Sequence, residues 1–175
     1  MSRYRPPRPK SSPYITREGH ALLAAELKYL WKEKRPEVTR KVSEAAAMGD
    51  RSENAEYIYG KKQLREIDSR INFLSRRLDV LTVVDRQPQT RNKVFFGAWV
   101  TVEDEDGTRA TYRLVGPDEF DREPEFISID APLARAALGK GLDDEFDLML
   151  ADESRSYAIV EISYDRPTEI HRPAV

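Results

Sequence analysis

The chain has 175 residues, room for one or two domains, and a polar composition of 39% hydrophobic and 34% charged residues. It has no cysteine, which excludes disulfides and thiolate metal sites and makes a reducing cytoplasm the simplest setting. The net charge of −2 conceals an asymmetry: residues 1–93 carry 21 Lys and Arg against 12 Asp and Glu, or +9, and residues 94–175 carry 8 against 19, or −11. A basic half suits phosphate and an acidic half suits a basic protein patch; the alternative is that each half is simply solvated by its own charge. The apolar segments are short, so no membrane span is expected.

Residues 1–14, MSRYRPPRPKSSPY, contain four prolines and no periodicity. They read as a disordered basic arm, with no apolar stretch of the kind a secretory signal needs. Thr16 is the expected N-cap of a first helix, with Glu18 in the first turn where the dipole favours an anion. Leu23, Leu27, Leu30, Val38, Val42 and Ala45 carry this helix to about Met48. Pro36 predicts a kink near Lys34–Arg35. Gly49 reads as the stop, and Asp50 or Ser52 as the N-cap of a second helix. There Leu64, Ile67, Ile71, Leu74, Leu78 and Leu81 alternate spacings of three and four, an a/d seam. With so short a connection it predicts an antiparallel coiled coil over 15–84, a rod of roughly 45 Å. Two helices of a larger bundle would need a third long helix, which the chain does not supply.

Residues 85–93, DRQPQTRNK, are polar and serve as a linker. Strands are then expected at 94–102, 108–115, 126–129, 146–150 and 157–162, with a hairpin turn at Asp104-Glu105-Asp106-Gly107 and a short helix at 132–138. The fold class is α+β: a helical hairpin followed by a small antiparallel sheet domain at 94–166, then a frayed tail at 167–175.

Catalytic chemistry of its own is hard to find. The two histidines, His20 and His171, sit in no nucleophile–base pattern. Gly139-Lys140-Gly141 lacks the upstream glycine and the following hydroxyl of a phosphate loop, and no zinc spacing occurs. No small-molecule substrate is expected. The hairpin tip instead carries three carboxylates a turn apart, Asp50, Glu53 and Glu56. Asp50-x-x-Glu53 has the form of a capping box. It also has the form of half a Mg²⁺ site, because Mg²⁺ is held by one or two carboxylates with waters and phosphates completing the octahedron. Such a pair binds weakly alone and becomes useful when another molecule supplies the other ligands. Behind the tip, Lys61, Lys62, Arg65, Arg70, Arg76 and Arg77 outnumber Glu66 and Asp68. They suit a nucleic-acid backbone held by charge; the bland alternative is a solvated coiled-coil face.

Gly49-Asp50-x-x-Glu53-Asn54-Ala55-x-Tyr57 at a hairpin tip resembles the Gre transcript-cleavage factors of bacterial RNA polymerase. Ile15-Thr16-Arg17-Glu18-Gly19, Tyr29-Leu30-Trp31, Arg35-Pro36-Glu37-Val38-Thr39, Arg51-Ser52-Glu53-Asn54, Leu64-Arg65-Glu66-Ile67-Asp68 and Val94-Phe95-Phe96-Gly97-Ala98-Trp99 resemble its GreB branch. The likeness spans about residues 14–165. It implies a C-terminal domain of FKBP-like fold and a coiled coil that enters the polymerase secondary channel. There Asp50 and Glu53 would help hold the second Mg²⁺ and its water while the polymerase cuts its own backtracked RNA. The cations of the second helix, Lys61, Lys62 and Arg65 foremost, would hold the extruded RNA 3′ segment. Docking on the channel rim would fall to Ile127–Pro132, with Asp130 and Pro132 as contacts; Ala131 stands where close relatives often carry serine. By this reading the protein is no enzyme itself but activates the polymerase. The competing class is a channel-binding regulator of initiation that does not stimulate cleavage; intact Asp50 and Glu53 favour the cleavage factor. A prolyl isomerase is suggested only by the implied fold, which is poor evidence of activity.

Overall fold

The apolar stripe of the first seventy-odd residues folds as its 3.6-residue period requires. A computed structural model of the chain describes residues 11–49, 54–85, 88–150 and 153–172. They divide into two units: Glu18–Leu81, and the flanking segments up to Arg17 and from Thr82 onward.

In the helical unit, α1 (Arg17–Tyr29) runs through a widened π-type turn (Leu30–Lys34) into α2 (Arg35–Ala47), and α3 (Ala55–Leu78) follows. The disturbance expected as a kink near Lys34–Arg35 takes the form of that turn, in which the Arg35 N–H donates to the Leu30 carbonyl. A π-type turn admits an extra residue without breaking the helix. Pro36 then falls in the first turn of α2, where a proline fits the helical φ. Val38, Val42, Ile67 and Ile71 are buried between the helices, with Leu27, Leu30, Tyr57 and Leu64 packed against them. Gly60 sets the spacing near the tip: a Cβ there would lie 2.6 Å from Val42 Cγ2. Arg35 pairs with Asp68 at 2.7 Å, and Arg70 forks onto Glu26 at 2.7 and 2.8 Å.

In the other unit, β1 (Tyr14–Ile15) pairs in parallel with β2 (Thr82–Val83). The end of the stretch expected as a disordered arm is thus tied into the fold: the Thr82 N–H donates to the Pro13 carbonyl at 2.7 Å, and Ile15 just after it is fully buried. Behind this pair the Glu119 carboxylate, 1% exposed, accepts from the Thr16 and Gly116 N–H groups, both at 2.9 Å, and from the Thr16 hydroxyl at 2.5 Å.

The main sheet comprises β3 (Trp99–Asp104), β4 (Arg109–Val115), β5 (Phe126–Ser128), β6 (Glu145–Leu150) and β7 (Glu153–Ser163), in the order β5-β4-β3-β7-β6; α4 (Pro132–Ala137) follows β5. All pairs are antiparallel except β4–β5. The sheet is therefore mixed, because the chain reverses once more between Gly116 and Glu125. The first strand starts at Trp99 rather than Val94, since Gly97 takes a φ of +85° in a turn. The expected hairpin turn is built on Asp104, whose Oδ1 accepts from the N–H groups of Asp106 at 3.1 Å and Thr108 at 2.8 Å. Val100, Val102, Leu114, Ala134 and Ile159 belong to one core.

A second cluster holds Trp99, Val115 and Phe126, with Ile170 against it. The tail expected to fray after Pro167 therefore docks. The Thr111 N–H donates to the His171 carbonyl at 2.8 Å, the His171 N–H donates to the Thr111 hydroxyl at 3.1 Å, and Arg172 meets Glu125 at 3.0 Å. The reason lies in β5, which pairs only Arg113–Val115 of β4 and leaves Thr111 to bond the tail.

Candidate functional site

The hairpin tip begins where α2 ends. Met48 caps it, with its N–H on the Ala45 carbonyl, and Gly49 follows at φ +129°. That is the stop expected from the sequence, in a conformation L side chains rarely adopt. Asp50, Arg51, Ser52 and Glu53 lie outside the described residues, so the expected metal and catalytic pair, Asp50 and Glu53, has no described geometry. The far side of the tip is clear. The N-cap of α3 is Asn54, not Asp50 or Ser52 as expected: its Oδ1 accepts from the Tyr57 N–H at 3.1 Å. Its Nδ2 donates to the Ala45 carbonyl at 2.9 Å, tying the end of α2 to the start of α3. Glu56 is exposed in the first turn. The signal for Asn54 was in the sequence, an Asx residue three before Tyr57, but two other capping types stand within four residues of it.

Lys61, Lys62 and Arg65 are exposed on α3 and form no ion pair among the described residues. The structure therefore leaves all three cations directed at water. Lys62 and Arg65 border one surface depression with Phe73, an aromatic residue that the sequence reading passed over. Around Glu37 on α2, Lys41 and Lys34 hold the carboxyl below the usual glutamate range, through hydrogen bonds first and charge second.

Asp130 and Pro132 lie together at the loop into α4, both exposed. Asp130 is occupied: its carboxylate accepts from the Ser12 N–H at 2.8 Å and from the Ser12 hydroxyl. Ala131 is the extended N-cap of α4 and makes no side-chain cap bond, and Pro132 opens the helix. Among the described residues no group of His, Cys, Asp or Glu is arranged to hold a metal ion. No helix among them is long and apolar enough to cross a membrane.

The described residues thus form a helical hairpin with a cationic flank and an α+β sheet domain, a two-part architecture. Residues 13–83 match the family described as transcription elongation factor, N-terminal, and residues 88–164 match transcription elongation factor, GreA/GreB, C-term. The chain is 60% identical to the transcription elongation factor GreB of Pseudomonas aeruginosa, across 94% of this chain and 98% of that one. It is 59% identical to GreB of Yersinia pestis, across 93% and 94%. Among solved structures, the transcription elongation factor GreA/GreB from Nitrosomonas europaea matches 87% of this chain and all of that one at 21% identity, with a TM-score of 0.40. The chain belongs to the GreA/GreB family of transcription elongation factors.

Proposed function

We propose that this elongation factor acts on bacterial RNA polymerase in the cytoplasm. It inserts its hairpin tip into the secondary channel and stimulates cleavage of backtracked nascent RNA, which releases arrested complexes. The observation that carries this reading is the cap. Asn54 closes α3 and ties it to Ala45, so α3 has an N-cap other than the two carboxylates, which the sequence sets between Gly49 and Asn54. Their placement in the tip then calls for a chemical reason. Carboxylate oxygens are the hard donors Mg²⁺ takes, and two of them make an incomplete set that polymerase ligands would finish. When bound, Mg²⁺ lowers the pKa of a coordinated water and stabilises charge on the reacting phosphate.

The chain's own residues then divide the work. Asp50 and Glu53 supply ligands and orient the water. Lys61, Lys62 and Arg65, exposed on α3 and without an ion pair among the described residues, hold phosphates of the RNA 3′ segment. Asp130 and Pro132 dock the sheet domain on the polymerase, with Asp130 exchanging Ser12 for a partner donor. In this reading the chain completes the polymerase's active site and is not a nuclease by itself.

The test is to add the protein to stalled, backtracked polymerase and follow the labelled RNA. Shortened RNA 3′ ends, absent when protein is incubated with free RNA, support the reading. Polymerase binding with no shortening makes the protein a channel regulator instead.

A further inference from the structure

The segment from Ile170 to Arg172 lies beyond residue 164, where the match to the family ends, yet it is bound to the sheet domain as an extended peptide would be. Ile170 packs against the cluster of Trp99, Val115 and Phe126. The Thr111 N–H donates to the His171 carbonyl at 2.8 Å, and the His171 N–H donates to the Thr111 hydroxyl at 3.1 Å. Arg172 meets the Glu125 carboxylate at 3.0 Å. Two side chains, two residues apart, thus reach the domain while the backbone between them bonds the part of β4 that β5 leaves unpaired. That is the pattern of an added strand, in which main-chain bonds hold the segment and alternate side chains select it.

The receiving side is built into the sheet and the segment is not. Trp99, Thr111, Val115 and Phe126 lie on β3, β4 and β5 and are buried; Glu125, the residue before β5, is 4% exposed. Residues 170–172 belong to no strand or helix, and the Arg172 side chain is 73% exposed. A buried carboxylate is costly unless a cation meets it. Whatever covers this face must therefore bring a positive group to Glu125 and an apolar one to the aromatic cluster. The acid at its centre turns phosphate away, so the fitting occupant is a peptide. A loosely held cover on a fixed receiving surface is open to exchange with another segment of the same chemistry, by mass action.

We propose that this stretch of β4 is a peptide-binding groove, filled in the free protein by the chain's own residues 170–172. Its partner is a second protein that offers an extended segment with an aliphatic residue two positions before an arginine. Occupation of the groove is separate from RNA cleavage, and its test needs no polymerase.

The test adds a fluorescein-labelled peptide of residues 168–175, TEIHRPAV, to the full chain and follows anisotropy. In the wild type the tethered segment competes at an effective concentration of roughly 1 mM, so uptake should be weak. Ile170→Ser removes the apolar anchor from the tethered segment alone. It should tighten peptide binding at least about tenfold, the result for a peptide Kd of about 0.1 mM or below. Arg172→Ala should act in the same direction, and carries the test if circular dichroism shows Ile170→Ser to be misfolded. A peptide with alanine in place of Glu169 and His171 should bind as well as the native sequence, and one with serine for its isoleucine should not bind. Glu125→Gln in the Ile170→Ser chain should erase the preference for arginine over the neutral citrulline. Equal affinity of wild type and Ile170→Ser overturns the groove, as does failure of both folded variants to bind or tight binding of the serine peptide. A wild-type dimer in sedimentation equilibrium that Ile170→Ser dissociates would give the groove to the tail of a second copy and overturn its assignment to a separate protein.

Discussion

Glu119 in the sheet unit is 1% exposed and accepts bonds from Thr16 and Gly116, whereas Lys61, Lys62 and Arg65 on α3 stand in water with no ion partner among the described residues. The sheet unit buries a charge and satisfies it within the fold. The helical unit buries one apolar seam and leaves its charge outside. Substitutions should therefore divide: in the sheet unit a charge change shows first in stability, and on the hairpin flank it shows first in binding.

The largest stability effect should come from Glu119→Ala. It strips acceptors from two N–H groups, each costing about 1–3 kcal/mol when left buried and unmet, so a loss of about 2–6 kcal/mol is expected in urea unfolding. Glu119→Gln, which keeps one acceptor oxygen, should lose less. Equal stability of Glu119→Ala and wild type would erase the contrast.

Gly60→Ala comes next. The new methyl meets Val42 Cγ2, and overpacking of this kind costs about 1–3 kcal/mol, offset by about 1 kcal/mol of helix propensity. Adding Val42→Ala should relieve the clash, so the double variant should be more stable than additivity allows. Strict additivity would mean that the helices shift apart freely.

Replacing Lys61, Lys62 and Arg65 together by alanine should move stability by no more than about 0.5 kcal/mol, the scale of ordinary surface changes. Crosslinking to the RNA 3′ end should fall and its remaining salt dependence should flatten. Unchanged crosslinking at low and moderate salt would return these residues to a solvated face.

The smallest effect is one of pH. The Glu37 carboxyl is held below its usual value of 4.5, first by hydrogen bonds to Lys41 and Lys34. A depressed folded-state pKa adds stability that is present above the unfolded value and is lost as pH falls through the folded one. Glu37→Gln should therefore flatten the acid limb of hairpin unfolding slightly below pH 4.5. A difference that grows toward neutral pH would contradict this assignment.

The same contrast explains what could be read in advance. The seam from Leu64 to Leu74 and the stop at Gly49 are local signals, carried by period and by one residue's backbone freedom, and so is the turn at Asp104–Gly107; Leu81, expected to continue the seam, lies beyond the end of α3 at Leu78. What escaped depends on partners distant in sequence. Glu119 reads as a surface acid until Thr16 is brought to it, and Ile170 reads as frayed until Trp99, Val115 and Phe126 present a face to cover. The cap was a matter of competition: Asp50, Ser52 and Asn54 are all capping types, and the fold decides in favour of Asn54 because its amide also reaches Ala45. The chemistry expected of the acidic tip falls on Asp50 and Glu53, which lie outside the described residues.

The central claim is that the tip carboxylates act on the reaction and not on folding or docking. Asp50→Asn combined with Glu53→Gln keeps the size of both side chains and removes the charge a metal needs. In single-turnover RNA cleavage by backtracked complexes, with polymerase binding followed in parallel by competition, the double variant should lose cleavage while binding and unfolding stay near wild type. Added Mg²⁺ should rescue each single variant more than the pair. Near wild-type cleavage by the double variant, or a stability loss of about 1 kcal/mol as for a lost cap, would contradict the claim.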